Sequence, residues 1–196
     1  MKQNTLIIDV DRCMGCKACE VACKLENGVA LGAFRNRVLT IGPNGKYPHV
    51  EMYFLPVMCQ HCAAPSCVRV CPTGASYKRP EDGAVLIDRD ICIGCKSCIN
   101  ACPYEVQSMN RELRVADRCS LCSGLTDAGE KPMCVKICPG RSRIFGDIND
   151  PESEVSLALK NAGEENVYSL PDEGNQPASR YILRRATWRG LGSQAS

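Results

Sequence analysis

Apolar positions along this 196-residue chain come in short bursts, not in long helical or alternating runs. Leu6, Ile7 and Ile8 form one such run and are followed by Asp9 and Asp11; Val85, Leu86 and Ile87 form another, followed by Asp88 and Asp90. Both read as short strands that stop at acidic turns. Residues 50–57 (VEMYFLPV) read as a further strand, and Gly42-Pro43-Asn44-Gly45 reads as a turn. Near the C-terminus, Asp150-Pro151-Glu152 marks a helix start with proline at its first position, carrying Val155, Leu157 and Leu159 to a stop near Gly163. Residues 164–179 read as irregular, and 180–185 (RYILRR) as a strand before the tail ATWRGLGSQAS. The pattern predicts an α+β chain rich in loops, with short strands and brief helices.

Two stretches repeat. Residues 6–23 (LIIDVDRCMGCKACEVAC) align with 85–102 (VLIDRDICIGCKSCINAC) at an offset of 79, with ten identities in eighteen positions. Each copy reads as a strand, a loop, and a helical turn. Gly15 and Gly94 lie inside the loops, where backbone must approach closely or take positive φ. PSCVRVCP at 65–72 likewise matches PMCVKICP at 132–139, so the order along the chain is A, B, A′, B′.

Composition changes the picture at this point. Sixteen residues are cysteine, against three Phe, six Tyr and one Trp. The thiols fall into four groups of four: 13, 16, 19, 23; 59, 62, 67, 71; 92, 95, 98, 102; and 119, 122, 134, 138. Groups one and three have the spacing C-x2-C-x2-C-x3-C, and Cys71, Cys102 and Cys138 each precede proline. That spacing sets three thiolates around one concave loop while the fourth faces a neighbouring iron–sulfur cluster, as in bacterial two-cluster ferredoxins. Sixteen ligands at four per cubane correspond to four [4Fe-4S] clusters with no thiol left over.

Other uses of cysteine fit less well. Disulfides bridge closely spaced C-x2-C-x2-C triplets poorly. Structural zinc suits Cys119, Cys122, Cys134 and Cys138 but not the triplets, and leaves a zinc-stabilised interaction module as a remote alternative. A Rieske centre needs two histidine ligands beside its cysteines, whereas His49 and His61 accompany a complete set of sixteen thiols. His61, between Cys59 and Cys62, reads first as a hydrogen-bonding loop residue and second as a group that tunes a cluster. The C-x3-C-x2-C motif of radical enzymes does not occur, so no catalytic residues are assigned.

The formal charge is +2, which offers nucleic acid no electrostatic footprint. Four oxidised clusters at about −2 each, thiolates included, would take the assembled chain to roughly −6. Lys17, Lys24, Arg69, Lys78, Arg79, Lys96, Lys136, Arg141 and Arg143 lie in or beside the motifs and are read as charge compensation. With so few aromatics, metal binding must supply part of the folding energy. No run of 18 apolar residues spans a membrane, and residues 1–13 carry no export signal. A cytoplasmic location and export beside a partner bearing a twin-arginine signal are both compatible with this. The basic tail with Trp188 reads equally as a docking element or as a solvated end.

The four groups, and in particular CQHCAAPSCVRVCPTGA followed closely by CIGCKSCINACPY, resemble the electron-transfer subunits of the complex iron–sulfur molybdoenzyme (dimethyl sulfoxide reductase) family over residues 5 to 150. Spacing alone leaves groups one with two and three with four as an open pairing. The resemblance implies a nested one: a ferredoxin-like domain from 1–50 and 105–150, interleaved with another at 51–104; residues 151–196 lie beyond it and read as a C-terminal extension that docks a partner. It further implies cluster a on Cys13, Cys16, Cys19 and Cys138, and cluster b on Cys119, Cys122, Cys134 and Cys23. Cluster c then falls to Cys59, Cys62, Cys67 and Cys102, and cluster d to Cys92, Cys95, Cys98 and Cys71. The implied role is non-catalytic: relaying single electrons between a molybdopterin subunit carrying Mo or W and a quinol-linked membrane subunit or soluble donor. A hydrogenase or carbon monoxide dehydrogenase partner is the alternative.

Overall fold

The computed structural model describes residues 2–185. Strand β1 (Asn4–Asp9) is buried along its whole length. Leu6 and Ile8 enter the main core, while Ile7 packs on the opposite face against Val155, Ala162 and Ile182. Burial on both faces is why this run is continuously apolar instead of alternating. Helix α1 (Ala18–Asn27) follows, then an antiparallel hairpin of β2 (Asn36–Lys46) and β3 (His49–Met58).

The turn expected at residues 42–45 is not the hairpin turn. Lys46 pairs with His49 across Tyr47-Pro48, and the register shifts between Ile41 and Asn44 instead. Pro43 has no amide proton to give the ladder, so the strand bulges there and then resumes pairing.

Helix α2 (Ser66–Arg69) leads to the hairpin of β4 (Ser76–Lys78) and β5 (Val85–Ile87), and α3 (Ser97–Asn100) to that of β6 (Ser108–Asn110) and β7 (Val115–Asp117). Helices α4 (Ser123–Asp127) and α5 (Met133–Lys136) precede β8 (Arg143–Asp147), α6 (Glu154–Ala162), β9 (Val167–Tyr168) and β10 (Arg180–Ile182). The repeated helices differ in length for a local reason. Cys23 is followed by Lys24, and α1 runs on to Asn27; Cys102 is followed by Pro103, and α3 ends at Asn100. Proline removes a helical hydrogen bond and pushes the residue before it out of the α region.

Helix α6 begins later than expected. Pro151 lies in the preceding turn, and the Ser153 hydroxyl caps the helix by accepting from the Ser156 amide at 3.2 Å. Residues 164–179 are not wholly irregular, since they contain a 3-10 turn and β9. The largest sheet has the order β8-β1-β10-β9, with β10 parallel and β8 antiparallel to β1. Through residue 185 the C-terminal segment is thus part of this sheet and its α6 cover; Trp188 lies outside the described residues.

The main core draws on the whole chain, combining Leu6, Val38, Met58, Leu86, Leu121 and Tyr181. A smaller cluster sets Val85 and Ala116 against Cys67 and Cys98. Asp82 ties the β4–β5 turn to β1: its carbonyl accepts from the Asn4 amide at 2.7 Å, and its carboxylate pairs with Arg79 at 2.6 Å. Among the described residues, no helix is long and apolar enough to cross a membrane.

Candidate metal centres

The two copies of the repeated loop have the same backbone. Gly15 and Gly94 have φ of +69° and +66°, and Lys17 and Lys96, which lead into α1 and α3, have +58° and +66°. A Cβ on Gly15 would stand 2.6 Å from the Phe54 ring, and one on Gly94 2.2 Å from the Arg114 carbonyl oxygen. Both conformation and space therefore require glycine.

Three small cavities are ringed by thiols. One is lined by Cys13, Cys16, Cys19 and Cys138. A second is lined by Cys23, Cys119, Cys122 and Cys134. A third is lined by Cys71, Cys92, Cys95 and Cys98. The remaining thiols also lie together, since Cys59 and Cys62 are each close enough to Cys67 and Cys102 to feel their charge. We label these sets a, b, d and c, respectively.

Crossed helices connect the sets. Helix α1 carries Cys19 of set a and Cys23 of set b, and packs on α5, which carries Cys134 of b and is followed by Cys138 of a. Helices α2 and α3 repeat the arrangement: Cys67 and Cys102 belong to c, Cys71 and Cys98 to d. Cys119 of set b lies within electrostatic reach of Cys59 of set c. The sets therefore follow one another in the order a, b, c, d. Cys16 and Cys95, at the two ends, are exposed, and every thiol of set b is buried.

Burial and neighbouring thiols push Cys23, Cys59 and Cys62 up to about 12, and Cys119 well above its ordinary value. Thiols so placed resist ionising alone, and a bound metal ion reverses that preference by supplying positive charge. Donors already point at sulfur. The Ser76 amide reaches Cys71 Sγ and the Ser142 amide reaches Cys138 Sγ, both at 3.3 Å, and Leu121 N lies 3.4 Å from Cys119 Sγ. Four thiols around one small cavity, with amide donors to sulfur, form the donor set a [4Fe-4S] cluster takes.

The cations singled out from sequence divide. Arg143 is buried between sets a and b, and Lys78 donates to the Cys62 carbonyl at 3.2 Å. Arg79 and Lys136 are instead engaged by Asp82, Asp127 and Glu130, and Lys24 lies over the Phe34 ring at 4.2 Å. His61 is buried with φ +44°, and its Nδ1 accepts from the Val85 amide at 2.9 Å. Burial lowers its pKa to about 3, so it is a neutral loop anchor. Two buried arginines escape sequence reasoning. Arg35 pairs with Asp117 at 2.6 Å, and Arg118 Nη1 donates to Cys67 Sγ at 2.9 Å. The position of Arg118, directly before Cys119, is the one signal that could have found it.

Two stretches match the 4Fe-4S dicluster domain family, residues 12–75 and residues 50–148. The first spans cysteine groups one and two and the second spans groups two to four, so neither separates nested from sequential pairing. The chain is 42% identical to a subunit of sulfite dehydrogenase from Allochromatium vinosum, over 95% of this chain and 85% of that protein. It is 41% identical to a putative dimethyl sulfoxide reductase iron–sulfur subunit from Halobacterium salinarum, over 93% and 79%. It is 39% identical to the thiosulfate reductase electron transfer subunit of Salmonella typhi, over 96% of each. The chain belongs to this 4Fe-4S dicluster family of iron–sulfur electron-transfer subunits, and is not the catalytic member of a complex.

Proposed function

We propose, with membership of the dicluster family as the premise, that the sixteen cysteines hold four [4Fe-4S] clusters in two interleaved ferredoxin-like domains, and that the chain relays electrons to and from a molybdopterin-bearing subunit. The observation that carries this reading is the succession of four thiol sets, a to d, with an exposed thiol at each end. Sets a and b belong to residues 1–50 with 105–150, and sets c and d to 51–104. Each cluster, when bound, takes up and gives back a single electron.

The chain's own part is to space, shield and polarise. Its crossed helices hold successive sets next to one another. Its amides and arginines favour the anionic thiolate sites, and its buried core keeps water from sets b and c. Met14 beside Cys16 is 57% exposed and Ile93 beside Cys95 is 67% exposed. These apolar rims at opposite ends are where a redox partner would exclude water from the end clusters. One partner is the catalytic subunit; the other is a quinol-linked membrane subunit or a soluble carrier, and attachment to a membrane runs through it. Support for molybdenum comes from relatives named for dimethyl sulfoxide and thiosulfate reductases. Co-purification followed by metal analysis tests this. Molybdenum or tungsten in the complex is the expected result, and nickel without either contradicts it.

A further inference from the structure

Two buried arginines stand where the halves of the chain exchange contacts. Aligning cysteine group two with group four, so that Cys59 meets Cys119 and Cys71 meets Cys138, matches Met58 with Arg118, directly before the first thiol. It also matches Ser76 with Arg143, at the start of β4 and of β8. In space, each arginine reaches the counterpart of the other. Arg118 Nη2 donates to Ser76 Oγ, and Arg143 Nη1 lies 3.8 Å from Met58 Sδ. The side chains are 3% and 4% exposed. One guanidinium thus occupies each of two equivalent places, delivered from non-equivalent points of the sequence.

Each place lies between two thiol sets. Arg143 lines the cavities of both a and b, facing Cys19 and Cys138 on one side and Cys134 on the other. Arg118 donates to Cys67 of set c at 2.9 Å, and its charge also reaches Cys59 of c and Cys98 of d. The remaining contacts of both are neutral: the Asn36 side-chain oxygen at 2.6 Å from Arg143, and the Leu86 carbonyl at 3.1 Å from Arg118. A buried guanidinium with no carboxylate is costly unless another anion compensates it. Thiolate sites on either side are the anions within reach.

We propose that Arg143 and Arg118 are positioning residues for electron transfer, each holding up the reduction potentials of the two clusters it separates: a and b for Arg143, c and d for Arg118. The inference rests on the four-cluster reading above. A fixed positive charge in a low-dielectric interior favours the more negative, reduced state on both sides. It also offsets repulsion between adjacent reduced sites, so an electron can follow closely behind another. Because arginine stays protonated at any pH the protein survives, the effect does not switch off with pH.

The test is an anaerobic redox titration of the purified holoprotein, followed by electron paramagnetic resonance, on Arg143→Met and Arg118→Met and on lysine at each position. Arg143→Met should move two of the four midpoint potentials to more negative values, and Arg118→Met the other two. At fixed applied potential, the oxidised-to-reduced ratio of each affected cluster should rise about tenfold, equivalent to about 59 mV for one electron. Lysine, which keeps the charge and loses the planar fork of donors, should recover most of the shift. Unchanged potentials in a methionine variant with full iron overturn the proposal, as does a lysine variant that shifts as far as methionine. If a methionine variant fails to retain iron, Asn36→Asp beside Arg143 and Ser76→Asp beside Arg118 cancel the charge in place and must give the same negative shift. A lysine variant that also fails to hold iron assigns the residue a structural part and overturns the proposal. Wild-type protein with fewer than four redox-active clusters contradicts the four-cluster reading itself, which separates the two failures.

Discussion

The end sets a and d each take three thiols from a C-x2-C-x2-C loop, whereas the interior sets b and c take theirs from the looser groups four and two, and the two kinds differ in exposure. At the ends, Cys16 and Cys95 are exposed, with Met14 and Ile93 standing out beside them. In set d, the Ser97 hydroxyl and amide hold the Cys95 thiol below its ordinary value, and hydrogen bonds from Ser76 and Thr73 outweigh burial at Cys71. In the interior the balance is reversed: burial pushes Cys23 and Cys59 up to about 12. A site whose thiols are hydrogen-bonded and wet at one edge can meet a partner. In the proposed relay, a site whose thiols are dry would depend on bound metal for its charge balance and, through it, for the core around it. On that reading the contrast separates exchange of electrons, at the ends, from retention of metal and structure, in the middle.

Removing iron tests the interior most severely and carries the largest expected effect. With Cys59 of set c and Cys119 and Cys134 of set b in the main core, chelation should unfold the chain, since binding energy at such sites is folding energy. A compact apo form that melts cooperatively by circular dichroism would show that the core stands without metal. Next in size, Cys119→Ser in set b should lose about four iron atoms and lower the melting temperature, whereas Cys95→Ser at the exposed edge should keep the fold. Iron analysis and thermal melts on the pair check this, and equal losses would erase the distinction between end and interior.

Smaller effects sharpen the other side. Met14→Glu and Ile93→Glu should leave iron content alone and change stability by no more than about 0.5 kcal/mol, as exposed substitutions do. Each should slow electron exchange with a different partner, measured by stopped-flow reduction. One partner affected by both variants would put the two ends on a single surface. A final effect, on stability alone, concerns the seam between halves. Burial pushes the Asp82 carboxyl up, and the Arg79 guanidinium outweighs it, so the folded value lies below 3.8. Its contribution is therefore present above that pH and fades as pH falls through the folded value. Asp82→Asn should cost about 1.5–3 kcal/mol at pH 7 in a denaturant titration, without loss of iron.

Much of the candidate site is legible in the sequence because its determinants are local. Cysteine spacing, the loop glycines and the duplication depend on neighbours a few residues away, and Gly15 and Gly94 take the positive φ expected of them. The grouping of thiols is not legible, because spacing alone also permits groups one with two; α1 packing on α5 and α2 on α3 brings distant groups together. The turn read at Gly42-Pro43-Asn44-Gly45 does not form although its residues favour one, because cross-strand pairing carries the ladder past it to Tyr47-Pro48. Arg118 escapes for a related reason. Its meaning lies in a contact with Cys67, fifty-one positions away, which no local pattern encodes.

The most direct test of the central claim is the iron and acid-labile sulfide content of anaerobically purified protein, read with its absorbance. About sixteen of each per chain and a broad band near roughly 400 nm are predicted from four cubanes on sixteen thiolates. Fewer than about twelve iron atoms, or a colourless protein carrying zinc, would contradict the account.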